Sequence, residues 1–163
     1  MKTLLLIRHA KSSWANDSQK DFDRPLNERG HHDAPAMAKR LLEKKINIDA
    51  LISSPAKRAL TTCQYFAKVF DKKNKDIIQI PKLYEANVET FFQVVSEVNN
   101  EFNSIAIFSH NPGITAFANS LTEVRIDDMP TCAIFAITAE TENWQAFHDA
   151  KKIFLFFDYP KMY

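Results

Sequence analysis

Two arginines, two histidines and a glutamate stand where apolar runs of this chain end. Arg8 and His9 follow Leu4 to Ile7, Arg58 follows the run Asp49 to Ser53 by five positions, and His110 follows Ile105 to Ser109. Glu85 comes shortly after the run Ile77 to Ile80, next to Tyr84. A guanidinium offers a planar fork of donors suited to phosphoryl oxygens. An imidazole is neutral and nucleophilic near pH 7. Together these groups suit the binding of a phosphate. Taken singly, each also has a plain reading. A histidine at a strand end is more often a hydrogen-bonded structural residue, Arg58 can face solvent, and Glu85 can be a surface carboxylate. Their shared position at strand ends gives the set its weight.

That position depends on the elements. Buried strands are expected at Thr3 to Ile7, Asp49 to Ser53, Ile77 to Ile80, Ile105 to Ser109 and Cys132 to Thr138. Between them, apolar residues recur with helical spacing over Asn27 to Lys45, Ala56 to Phe70 and Glu89 to Phe102, and in a shorter helix carrying Ile114, Phe117, Ala118 and Leu121. Alternation of this kind predicts a mainly parallel sheet covered on both faces. Ligands of such sheets bind outside the carboxyl ends of the strands. Ser54-Pro55 reads as an N-cap and first helical residue, and Asn111-Pro112-Gly113 as a second helix start. Helix N-termini there favour anions. Asn27 and Gly30 read as a cap and a close-packing point, and His31-His32 as solvent-facing. Past Thr138 the pattern weakens: Trp144 to Phe147 is open to pairing back as a hairpin strand, and Ile153 to Phe157 is a short apolar run.

Composition narrows the function classes. A length of 163 residues fits one domain, and a net charge of +1 supplies no bulk field for nucleic acid or anionic membrane. The two cysteines, Cys63 and Cys132, have no metal-site spacing and are too few for a disulfide framework, so a reduced, cytoplasmic setting is expected. The N-terminal apolar run meets Arg8 too early for a signal peptide. Only two glycines occur, Gly30 and Gly113, which excludes the glycine-rich nucleotide loops.

The stretches LIRHAKSSW, RPLNERG, SSPAKRALTT and SHNPG, in this order across nearly the whole chain, resemble the histidine phosphatase superfamily. Within it they are most similar to the small SixA-like phosphohistidine phosphatases. The family's usual glycine after Arg-His is Ala10 here; alanine serves if its φ is negative. The resemblance implies a phosphoglycerate mutase-like fold over residues 1–163: one three-layer α/β/α sandwich with a mainly parallel sheet of about six strands and no lid insertion. It implies His9 as nucleophile, forming a transient phosphohistidine that water hydrolyses. The other ring nitrogen of His9 would then donate to a backbone carbonyl. Arg8, Arg58 and a protonated His110 would bind the phosphoryl oxygens, with Ser12 within reach of them. Glu85 would be the general acid, though an imidazole leaving group needs a strong acid less. No metal or other cofactor is implied, because fixed cations supply the charge stabilisation.

Spacing bears on the substrate. Arg58 and Glu85 are 27 positions apart, and Glu85 and His110 are 25 apart, which leaves little chain for a roof. An open site suits a phosphoryl group presented by a phosphorylated protein, such as a phosphohistidine domain. The alternatives are a phosphatase or mutase for small phosphorylated metabolites and a non-catalytic phosphate-binding module. Neither nucleic acid nor membrane is an expected partner.

Overall fold

A computed structural model describes residues 1–162 of the chain. Its strands are β1 (Lys2–Arg8), β2 (Ala50–Ser53), β3 (Ile78–Gln79), β4 (Ser104–Ser109), β5 (Ile134–Ala139) and β6 (Lys152–Asp158). The helices are α1 (Glu28–Glu43), α2 (Lys57–Val69), α3 (Val88–Ser96) and α4 (Gly113–Leu121), with short 3₁₀ turns between elements. The strands form one six-stranded sheet in the order β3-β2-β4-β1-β5-β6. β1, β2, β3 and β4 run parallel, whereas β5 and β6 are antiparallel additions beyond β1. This is the α/β fold with a mainly parallel sheet that the pattern predicts.

β1 is apolar throughout because it is buried on both faces. Leu4 and Leu6 enter a layer with Phe91, Val95, Ile114 and Phe117 from α3 and α4. Leu5 and Ile7 point the other way, into a layer with Ala34, Met37, Leu41 and Phe66 from α1 and α2. Each such side chain contributes about 1.5–3 kcal/mol when withdrawn from water. The strand carrying Arg8 is thereby clamped on both sides. Among the described residues, no helix is long and apolar enough to cross a membrane.

Three sequence expectations are corrected. Trp144 to Phe147 is not a strand but part of a 3₁₀ turn, Trp144–Asp149, capped by the Asn143 side chain. β6 alone pairs with β5 there. α3 stops at Ser96 rather than Phe102. The asparagines beyond it leave the helical ladder: Asn99 Oδ1 accepts from the Glu101 N–H, and Asn100 Oδ1 from the Trp144 N–H. α2 begins at Lys57 with Ala56 as its cap residue, not at Ser54-Pro55. The Ser54 hydroxyl accepts from the Ala56 N–H at 3.2 Å, just ahead of the helix, and also lies 2.8 Å from His110 Nε2.

Candidate active site

Arg8 is the last residue of β1, and His9 is the first residue beyond it. The His9 N–H donates to Ser109 O at the end of β4, 3.1 Å away. Its ring Nδ1 lies 2.8 Å from Ala10 O. A carbonyl only accepts, so Nδ1 carries the ring proton, and the lone pair is on Nε2. Burial, reinforced by the nearby His110, Arg58 and Arg8, lowers the His9 pKa to about 3 despite the opposing Ala10 bond. The ring is therefore neutral at pH 7.

Ala10 has no left-handed backbone; among the described residues, the non-glycine ones with positive φ are Lys45, Asp71 and Cys132. Its N–H donates to Thr62 Oγ1 at 3.0 Å, and that hydroxyl donates to Arg58 O at 2.7 Å. Its methyl is buried in the layer beneath α1 and α2. Alanine is thus accommodated where the family usually has glycine. The loop is also tied to the helix that carries Arg58.

Both guanidinium groups are held through Nη1 by backbone carbonyls. Arg8 Nη1 donates to Met129 O at 2.8 Å, and Arg58 Nη1 to Asp21 O at 2.7 Å. Arg58 Nε then faces His9 Nε2 at 3.4 Å. Arg8 Nε is buried and has no partner among the described residues, and the same is true of His110 Nδ1. Buried donors of this kind are costly unless something accepts from them. His110 stands close to His9, with ring centroids 5.2 Å apart. Burial, with the charges of Arg58 and Arg8, lowers its pKa to about 3. Without a phosphate beside it, His110 is therefore neutral at pH 7; the protonated form expected from sequence belongs to the phosphate-bound site. In the tautomer where the Ser54 hydroxyl donates to Nε2, the His110 N–H lies on Nδ1.

A cleft of about 490 Å³ opens beside these groups, and its lining includes Asp21, Arg58, Tyr84, Glu85, His110 and Pro112. Glu85 is exposed on this lining. Ser12 is buried, but its hydroxyl accepts from Arg24 Nη2, and its backbone bridges to Leu26. The fold therefore brings Arg8, His9, Arg58 and His110 together and sets Glu85 at the rim. Ser12 is attached through Arg24.

The sequence reading missed Asp21. Its Oδ2 accepts from Arg58 Nη2 at 3.1 Å and from the Tyr84 hydroxyl at 2.6 Å, and its Oδ1 from Arg24 Nη1 at 3.0 Å. The Tyr84 bond, with Arg24 and Arg58, holds this carboxyl well below the usual carboxylate range. Burial and Asp21 push the Tyr84 phenol up to about 12. The Asp21–Arg24 spacing of three residues was the available signal; nothing local ties Asp21 to Arg58. Both glycines support the site loops. A Cβ on Gly30 would collide with Lys11 O, and one on Gly113 with Ala86 O.

Residues 4–102 match the family model of the histidine phosphatase superfamily, branch 1. An uncharacterised chloroplastic protein of Arabidopsis thaliana is 28% identical over 152 residues, covering 88% of this chain and 69% of its own. A 2,3-bisphosphoglycerate-dependent phosphoglycerate mutase of Bartonella tribocorum is 33% identical over 90 residues, which cover 53% of this chain but only 43% of the mutase. Among solved structures, a candidate phosphohistidine phosphatase, SixA, from Agrobacterium tumefaciens superposes with a TM-score of 0.82 at 25% identity, over 98% of each chain. A protein histidine phosphatase SixA complexed with tungstate gives 0.80 at 22% identity, over 97% of each. With the match spanning β1 through α3 and the fold shared end to end, the chain belongs to the histidine phosphatase superfamily.

Proposed function

We propose that the protein is a metal-independent phosphatase acting on protein phosphohistidine through a covalent intermediate on His9. The observation that carries this is the state of His9: Nδ1 bonded to the Ala10 carbonyl, Nε2 unprotonated and facing Arg58. Nε2 attacks phosphorus as the bond to the leaving nitrogen or oxygen breaks, and the leaving atom takes that electron pair. Arg58 Nε, Arg8 Nε and His110 Nδ1 supply donors to the phosphoryl oxygens, whose charge the transition state spreads. His9 keeps its Nδ1 proton, so the intermediate is a phosphorylated imidazolium. Water then adds to phosphorus, the P–Nε2 electron pair returns to the ring, and the water's proton stays on the released phosphate. His9 leaves neutral and ready for another cycle.

Glu85 serves as the acid for poor leaving groups; its place on the cleft lining supports this role. Ser12 acts by holding Arg24, and through it Asp21, rather than by touching phosphate. The open cleft suits a phosphoryl group carried on another protein. A mutase must hold a free, multiply charged intermediate, and Arg58 is the one lysine or arginine among the cleft-lining residues.

The test is hydrolysis of a phosphorylated histidine protein and of small phosphate esters, with and without EDTA. The expected outcome is turnover unaffected by EDTA and an acid-labile ³²P adduct. His9→Ala should remove both adduct and turnover, the latter by at least about a thousandfold. Glu85→Gln should slow ester hydrolysis far more than phosphohistidine hydrolysis. Loss of activity in EDTA, or full activity in His9→Ala, would contradict the mechanism.

A further inference from the structure

The Asp21 carboxylate is an odd neighbour for a phosphate clamp. It accepts from Arg58 Nη2, while Arg58 Nε faces His9, and it lines the cleft together with Tyr84 and Glu85. Oδ1 has one donor and Oδ2 has two, whereas a carboxylate offers about four acceptor sites. The side chain remains half exposed, so one direction is open to an incoming donor. Arg24 on one side and Tyr84 on the other fix its orientation, and Arg24 is itself covered by Trp14, whose ring lies 3.2 Å from the guanidinium carbon. The charged side chains lining the cleft are Asp21, Glu85 and Arg58, and Arg58 already faces Asp21. Beyond Arg58, the cleft lining therefore holds the carboxylates of Asp21 and Glu85 and apolar surface such as Ala86, Val88 and Ala116.

We propose that Asp21 is a specificity residue, whose carboxylate selects phosphoryl donors with a neutral or cationic nitrogen leaving group and repels those that carry a second anion. The role rests on the phosphatase function proposed above and adds a physical basis for its substrate class. A phosphorylated imidazole can carry a proton on its far nitrogen, and that N–H can donate to the open side of Asp21. When His9 attacks, the P–N electron pair moves into a ring that already holds its proton. The ring leaves as neutral imidazole, with no acid needed. A phosphorylated sugar acid brings instead a carboxylate or second phosphate toward Asp21 and Glu85, where like charges repel; Arg58 is the one lysine or arginine lining the cleft, and the nearby Arg24 is already paired with Asp21 and covered by Trp14.

The experiment measures kcat/KM at pH 7 for N-phosphoimidazole and for 3-phosphoglycerate, and reads their ratio. Asp21→Asn keeps the shape and one acceptor oxygen, removes the charge, and puts an NH2 donor in place of the other oxygen. It should lower the ratio at least tenfold, and Asp21→Glu should restore it to within threefold of wild type. A ratio shifted less than threefold in Asp21→Asn overturns the proposal, even if both substrates slow together, because a common loss reports only the support of Arg58. If the wild type turns over both substrates with an insensitive ratio, the phosphatase function stands and only the role of Asp21 falls. If the wild type fails to cleave N-phosphoimidazole at all, the phosphohistidine function falls and takes this role with it.

Discussion

The parallel and antiparallel halves of the sheet meet at β1 and serve the cleft in opposite ways. The parallel strands end at one edge and deliver side chains: Arg8 and His9 after β1, Arg58 beyond β2, His110 beyond β4. The antiparallel half delivers backbone. The segment entering β5 offers Met129 O to Arg8 Nη1 and Ala133 O to the Arg8 N–H. The Cys132 N–H, from a left-handed residue with φ 61°, lies 3.0 Å from both Arg8 O and His9 O. One half gathers the guanidinium and imidazole side chains beside the cleft; the other, with Thr62 on α2, holds them through the backbone. Side chains that act and backbone that holds are separable, so their variants should fail differently.

The largest effect should come from the reaching side. Arg58→Lys keeps a positive charge but loses the fork that joins His9 Nε2 to Asp21. Turnover should drop about 10²–10³-fold, as for loss of one oriented transition-state donor, with little change in the urea midpoint. A midpoint that collapses along with activity would erase the distinction. On the holding side, Thr62→Val leaves the buried Ala10 N–H without its acceptor. Urea unfolding should show a loss of about 1–3 kcal/mol, while kcat falls less than tenfold. Ala10→Gly should have the smallest effect. It restores the family's usual residue, yet the backbone here does not need glycine. The variant should lose about 0.4–1 kcal/mol through the freer unfolded chain, plus the packing of a buried methyl, with no gain in turnover. A rise in kcat would mean that Ala10 restrains the loop.

Much of the acting half was legible in the residues. An apolar run that meets Arg8-His9 without a break announces a buried strand ending at a polar site, and the same sign marks His110 after β4. The helix starts were less legible. Ser54 looks like a cap because serine before proline often is one, but its hydroxyl takes the Ala56 N–H ahead of the helix and also meets His110, and the cap falls two residues later, at Ala56. Trp144 to Phe147 looked like a strand because bulky apolar residues favour pleated surfaces. Long-range bonds from Asn100 and a local cap from Asn143 bent it into a 3₁₀ turn.

By itself, the sequence determined which strands are buried on both faces, where they end, and which guanidinium and imidazole groups stand at those ends. These follow from local pattern, since burial demands apolar runs and periodicity sets the faces. Only the tertiary structure decided the protonation of His9 and His110, because burial and neighbouring charge act through space. It alone brought Asp21 to Arg58 across 37 positions of chain and Tyr84 to Asp21 across 63. And it set Met129 O, Cys132 N–H and Thr62 behind the acting residues, contacts made largely by peptide groups. Every residue carries those groups alike, and so no residue type in the sequence could announce them.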